Sequence, residues 1–219
     1  MVIVIDGPAG SGKSSTARAV AQKMDIRYLD SGALYRAATL LYLESQGDRE
    51  TFFRKLDRQP LDFTYGDGFR VLAGGRDRTA EIRTPEVTRS VSEVAAMPRV
   101  REHVNKLMRR RVAEDVYIAE GRDLGTAVFP DAALKIFMSA DVEERARRRY
   151  REMKQKHPET DYQDILENIR ERDHRDAARV SDPLRKADDA VEIDTTDSTF
   201  EQQVDRICSL INQLNKPQP

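Results

Sequence analysis

Residues 7–14 read GPAGSGKS and stand directly after VIVID, residues 2–6. The octet satisfies the spacing Gly-x-x-x-x-Gly-Lys-Ser/Thr. Before it stands an apolar run that predicts a strand. After it, Ala17, Val20, Ala21 and Met24 form a stripe that predicts a helix beginning near Lys13. Those residue types suit one task. Gly7, Gly10 and Gly12 let the backbone curl until successive N–H groups point at an anion. The helix start adds its partial positive charge. Lys13 can reach the terminal phosphates of a nucleoside triphosphate, and the hydroxyl of Ser14 suits a Mg²⁺ ion.

Outward from that loop, four further apolar runs read as buried strands: Arg27–Leu29, Val116–Ala119, Leu134–Met138 and Ala190–Ile193. They are continuous rather than alternating, as in a sheet covered on both faces. Helical stripes lie among them: Val100, Val104, Leu107 and Val112, and near the end Phe200, Val204, Ile207, Ile211 and Leu214. The alternation predicts an α/β fold, a five-stranded parallel sheet with helices on both faces. One stretch breaks the rhythm. From Asp57 to Thr79, short β-rich pieces are separated by Gly66-Asp67-Gly68 and by Gly74-Gly75, which predicts an antiparallel meander. Thr84 and Pro85 then read as the cap and first position of a helix. Residues 57–97 are therefore expected to be a sub-domain inserted into a core of residues 1–56 and 98–219. The tail Lys216–Pro219 is expected to be disordered.

Composition sets limits on the function. The chain has 219 residues, 37 Lys+Arg against 38 Asp+Glu, and a formal net charge of -1, which speaks against an extended nucleic-acid or anionic-membrane surface. Of those cations 28 are arginine, the better fork for phosphate. A single cysteine, Cys208, excludes a disulfide framework within the chain and a cysteine-rich zinc site. The first residues run into the glycine loop without a basic leader or cleavage site, and no apolar run approaches the roughly 20 residues of a membrane span. A soluble, cytoplasmic protein is expected.

The acceptor side decides which reaction the bound phosphates undergo. No Asn-Lys-x-Asp loop for guanine is present. Instead Asp30-Ser31-Gly32-Ala33-Leu34-Tyr35-Arg36 comes after the second strand and Glu120-Gly121-Arg122-Asp123-Leu124-Gly125-Thr126 after the third, at the carboxyl edge where open α/β sheets bind ligands. A late helix carries Arg170-Glu171-Arg172-Asp173-His174-Arg175-Asp176, with Arg179 beyond. DGPAGSGK, DSGALYR, EIRTPEV, PRVR, EGRDLGT, KIFMSA and ERDHRDAAR, in this order and spacing, resemble the bacterial-type cytidylate kinases of the P-loop nucleoside monophosphate kinase superfamily. The resemblance runs from Val2 to about Leu214. It implies an ATP:(d)CMP phosphotransferase using Mg²⁺, active as a monomer on small nucleotides, with no nucleic-acid or membrane partner. It also implies that residues 57–97 are the nucleoside-monophosphate-binding sub-domain.

The same resemblance distributes roles. ATP falls to Gly7, Pro8, Ala9, Gly10, Ser11, Gly12, Lys13, Ser14 and Ser15. Ser31, Arg101 and Asp123 fall on the cytosine ring, whose N4 amino group donates while N3 and O2 accept. Asp123 can take the first and Arg101 serve the others. Ser31 has the alternative of a cap or turn residue. Ser92, Arg172 and Asp176 match positions around the sugar. Arg172 and Asp176, four apart, could equally form an ordinary ion pair along their helix. Arg36, Arg122 and Arg179 would grip the acceptor phosphate and the group in transfer, acting with Lys13 as the catalytic cations.

Two features each carry a pair of readings. Arg145, Arg147, Arg148, Arg149 and Arg151 crowd one helix, either as a solvated basic face paired with Glu143, Glu144 and Glu152 or, by resemblance, as a lid over ATP at about residues 141–160 with Arg145 and Arg149 turned to the nucleotide. Glu120 is either a strand-end carboxylate or an acid ordering water around Mg²⁺. Asp194-Thr195-Thr196 is expected to be a loop bordering adenine. The competing functions are a P-loop kinase for another small acceptor, such as UMP or a sugar acid, and a nucleotide-dependent nucleic-acid-binding protein using the arginine-rich helix.

Overall fold

The computed structural model of the chain describes residues 1–214 apart from Asp67, Glu114 and Lys156. The expected disordered tail and the middle residue of the Gly66-Asp67-Gly68 turn lie outside the described residues. The chain begins with β1 (Val2–Asp6), α1 (Lys13–Met24), β2 (Arg27–Asp30), α2 (Ser31–Leu43) and α3 (Arg49–Arg58). Next comes a β-rich stretch, β3 (Leu61–Gly66), β4 (Gly68–Ala73) and β5 (Arg76–Asp77), then α4 (Pro85–Ala95) and α5 (Pro98–Arg111). The last part holds β6 (Tyr117–Glu120), a π turn at Leu124–Val128, β7 (Leu134–Ser139), α6 (Val142–Lys154), α7 (Tyr162–Ala177), β8 (Val191–Asp194) and α8 (Phe200–Leu214).

The large sheet has the order β2-β6-β1-β7-β8. β1 is its axis, parallel to β6 on one side and β7 on the other, with Ile5 facing Glu120 and Ile136 in register. Ile3, Val4 and Ile5 are inaccessible to solvent, and all four residues of β6 are buried. Those runs are continuous because both faces of the strand are covered. α1 packs on β6 and on α8 through Thr16, Ala17, Val20 and Ala21. The facing stripe of α8 is Val204, Ile207, Cys208 and Ile211. The two ends of the expected stripe depart from it: Phe200 is 49% and Leu214 40% exposed, so the buried run stops a turn short at either end.

Packing divides the chain into two units, Met1–Tyr28 with Asp115–Pro219, and Leu29–Glu114. The expected insertion, residues 57–97, lies inside the second and is smaller than it. The unit is wider because α2 packs on α3, α4, α5, β3 and β4, so these elements share one core. Its meander is antiparallel in the order β3-β4-β5, and Gly74 and Gly75, at φ 57° and 77°, make the turn between the last two strands. The residues Asp57 and Arg58, which the sequence assigns to the start of the meander, instead end α3. Thr84 caps α4 by accepting from the N–H of Val87 at 3.3 Å, with Pro85 at the first helical position as expected.

Candidate active site

The loop after β1 has the curled backbone its glycines allow: φ is 149° at Gly7, 78° at Gly10 and 90° at Gly12. Gly7 is dictated by space as well, because a Cβ there would lie 2.0 Å from the carbonyl oxygen of Met138 on β7. Lys13, 4% exposed, donates to the carbonyl of Pro8 at 2.6 Å and to Ser11 Oγ at 3.2 Å. Its amine therefore folds back over the loop. Burial pushes its pKa well below the usual lysine range; Arg122 adds to the shift, while Glu120, Asp6 and Asp173 oppose it. Ser14 donates to Glu120 Oε1 at 2.6 Å, and the Tyr28 hydroxyl reaches the same oxygen at 3.2 Å. Two hydroxyls thus fix Glu120 beside the loop.

On α7, Asp176 gathers the arginines. Arg122 Nε donates to its Oδ2 at 3.1 Å, and Arg179 stands 3.6 Å from its Oδ1. Arg122 remains charged although burial opposes it, since Asp176 and Glu120 outweigh that cost. Asp176 thus joins these two arginines, which come to it from outside its own helix. Arg179 is nearly covered, and its Nη2 is buried without a hydrogen-bond acceptor. Asp123, 4% exposed, immediately precedes the π turn. Lys13, Ser14, Glu120, Arg122, Asp176 and Arg179 thus belong to one network of ion pairs and electrostatic contacts.

Within the second unit, Asp30 rather than Ser31 caps α2, accepting from the N–H of Ala33 at 2.9 Å; Ser31 is the first helical residue and buried. Arg36 donates to Thr88 at 2.8 Å, and Ser92 lies one turn further along α4. Arg101, 2% exposed, stands over the Tyr35 ring at 5.4 Å and donates to the carbonyl of Ala95.

The arginine-rich helix sorts itself. Arg145 is buried and bonded to the carbonyls of Ala9 (2.9 Å) and Ala140 (2.9 Å) and to Asp173 (2.5 Å). Arg148 holds Thr195 and Thr196. Arg149 pairs with Glu152 at 3.2 Å on the exposed face, and Ser15 donates within its own turn, to the carbonyl of Gly12. α6 and α7 pack through Ala146, Ile165, Leu166 and Ile169.

The sequence model of the family described as cytidylate kinase matches residues 3–213. The chain is 43% identical to the cytidylate kinase of Carboxydothermus hydrogenoformans, over 98% of this chain and 99% of that one. It is 40% identical to that of Lactobacillus johnsonii, over 99% and 96%. The chain belongs to the cytidylate kinase family. Among solved structures, an uncharacterized protein from Eubacterium ventriosum shares the fold at TM-score 0.55 and 14% identity, over 97% of this chain and 98% of that one.

The structural roles of three residues of this cytidylate kinase family member are not legible in the sequence, although Asp173 and Thr195 lie in segments it singles out. Asp173 accepts from the N–H of Ala9 at 3.2 Å while pairing with Arg145, so it fastens α7 and α6 to the loop. Thr195, wholly buried, donates to the carbonyls of Ser11 and Ser139 and anchors the loop after β8. Asp6, 4% exposed, accepts from the N–H groups of Leu124 at 2.9 Å and Gly125 at 2.7 Å. Only Asp6 carries a signal, as a carboxylate ending an otherwise apolar strand. Burial lifts its pKa from 3.8 to about 6, helped by the neighbouring Asp123 charge and opposed by the two N–H groups and by Lys13. The folded state therefore binds this proton more tightly than the unfolded chain, and Asp6 is a carboxylate above about pH 6. Its contribution to stability is full below pH 3.8 and is lost as pH rises through about 6. Carboxyl-carbon NMR should show Asp6 titrating near pH 6; a midpoint at or below 3.8 would contradict this account of its burial.

Proposed function

We propose that this protein transfers the terminal phosphoryl group of ATP to the phosphate of CMP and of dCMP, giving ADP with CDP or dCDP. The observation that carries the reading is the curled anion-binding loop with the buried Lys13 amine folded over it, beside a network in which Arg122 and Arg179 are gathered on Asp176. A loop and arginines so placed suit phosphate groups on either side of a transfer, where catalysis is positioning and neutralisation of charge on equatorial oxygens. The unsatisfied Nη2 of Arg179 fits the same ligand. Arg36, Arg122 and Arg179 are assigned to the acceptor phosphate and transferred group, Asp123, Arg101 and Ser31 to cytosine, and Ser92, Arg172 and Asp176 to the sugar. Residues 57–97 serve acceptor binding. Residues 141–160 serve as a lid, in which Arg145 and Arg149 turn to ATP only by leaving their present partners.

Magnesium fits the donor set. Ser14 and Glu120 offer hard oxygens side by side, and among the described residues no cluster of three His, Cys, Asp or Glu could hold a metal alone. That suits an ion bound mainly through nucleotide phosphates, with Ser14 as direct ligand and Glu120 acting through water. When bound, Mg²⁺ neutralises phosphate charge. The same reading makes the protein a monomeric, cytoplasmic enzyme without nucleic-acid partners; for the last of these, the pairing of Arg147 and Arg148 with Glu144 and of Arg149 with Glu152 supports a solvated rather than nucleic-acid-binding helix face. No helix among the described residues is long and apolar enough to cross a membrane.

An acceptor panel tests the function. In an ADP-release assay CMP and dCMP should exceed UMP by at least about tenfold in kcat/KM, because uracil O4 would set an acceptor against the Asp123 carboxylate. AMP or dTMP as the preferred acceptor would remove the assignment of Asp123 and Arg101.

A further inference from the structure

The two loops that must cooperate, one for the donor phosphates and one for the acceptor, leave adjacent strands β1 and β6. Parallel pairing fixes these strands only as far as Ile5 and Glu120, where Gly121 donates to the carbonyl of Ile5 at 3.0 Å. Beyond that point nothing in the sheet dictates where Arg122 and Asp123 project. Asp6 is the next residue of β1. Its two carboxylate oxygens take the N–H groups of Leu124 and Gly125, the first two residues of the π turn, which sit directly after Arg122-Asp123. The fit is close on both sides: a Cβ on Gly125 would lie 3.2 Å from Val4, 3.3 Å from Lys135 and 3.4 Å from Asp6 Oδ2. Asp6 is 4% exposed, and both of its oxygens are taken up by the turn that it holds.

We propose that Asp6 is a positioning residue for the acceptor: by clamping Leu124 and Gly125 from the strand that begins the phosphate loop, it fixes the direction in which Arg122 and Asp123 meet CMP. A carboxylate is the group suited to this, since it offers two acceptors and no donor, whereas an amide would set its NH₂ against one of the two N–H groups. Loosening the clamp displaces the acceptor-reading residues, while the phosphate loop keeps its other anchors: Gly7 against Met138, Ser11 through Thr195, and Ala9 through Asp173. The inference rests on the assignment of Arg122 and Asp123 to CMP.

The test compares Asp6→Asn, Gly125→Ala and Asp123→Asn with the wild type, measuring kcat and KM for CMP, UMP and ATP separately, with melting temperatures. Asp6→Asn should lower kcat/KM for CMP by about 10- to 100-fold, as expected for misplacement by about 1 Å. It should also narrow the CMP:UMP ratio and leave the KM for ATP within about twofold. Gly125→Ala crowds the same contact from the other side and should reproduce the pattern, which keeps the test decisive if the Asp6 variant folds poorly. Equal losses for CMP, UMP and ATP, or a lowered melting temperature with unchanged CMP:UMP selectivity, would overturn the positioning role. Failure of the underlying assignment looks different: Asp123→Asn would then leave CMP:UMP selectivity unaltered.

Discussion

Replacing Lys13 by alanine should lower kcat by at least on the order of 10²–10³-fold, the scale of losing one preorganised group that stabilises transition-state charge, while the nucleotide-free protein melts no lower than the wild type. The two halves of this expectation come from the same geometry. Lys13 is 4% exposed, and its polar partners are a carbonyl and a hydroxyl of its own loop, not a carboxylate. Burial, with Arg122 nearby, holds its pKa well below the usual lysine value of 10.5. The folded state therefore binds this proton less tightly than the unfolded chain, so the lysine lends progressively more stability as pH rises from its folded pKa toward 10.5 and opposes folding below that window. Alanine removes that penalty and flattens this part of the profile. Bound triphosphate reverses the balance by supplying the missing anion, so ATP should raise the melting temperature of the wild type more than that of Lys13→Ala. Full turnover in the variant would remove Lys13 from catalysis. A collapse in melting temperature without nucleotide would show that the lysine is a structural pin.

How much of this can be read in the residues depends on the length scale of the cause. β1, the phosphate loop and α1 are legible because their determinants are contiguous: an apolar run, glycines at fixed spacing and an amphipathic stripe. The cap at Thr84 and the Gly74-Gly75 turn are legible for the same reason, since both act within a few residues. The extent of the second unit is not. α2 carries mixed small and large apolar residues that would suit either core, and only its packing on α4, α5 and the meander assigns it. Within the site, the arginine-bearing segments stand out in the sequence, but not their partners. The spacing of Arg172 and Asp176 gives no sign that Asp176 also takes Arg122 and Arg179, one of them 54 residues away. Resemblance points Arg145 at the nucleotide, and its present bonds join it to the loop and to Asp173, 28 residues on. Asp6, Asp173 and Thr195 act over 118, 164 and 184 residues, and no local pattern reports such separations.

Arg122→Lys should be almost as damaging as the loss of Lys13, and its pattern would be different. The guanidinium uses Nε on Asp176 Oδ2 at 3.1 Å and Nη1 on the carbonyl of Gly121 at 3.3 Å, so the rest of its planar fork is aimed by two bonds made at fixed angles. A lysine ammonium keeps the charge and can satisfy Asp176, but it cannot hold that carboxylate and present an oriented pair of donors to a phosphate at the same time. The expected result is a fall of roughly 10²-fold or more in kcat/KM for CMP, with the KM for ATP little changed and the melting temperature nearly kept. Arg122→Met separates charge from shape. It removes the shorter of the two ion pairs Asp176 makes with Arg122 and Arg179, leaving the one at 3.6 Å, and so should cost stability as well as activity, because a buried carboxylate loses its better partner. If lysine restored full kcat while methionine did not, charge alone would suffice and the oriented fork would have no role. If both variants kept full activity toward CMP, the acceptor phosphate would have to be held elsewhere, and the network built around Asp176 would be structural.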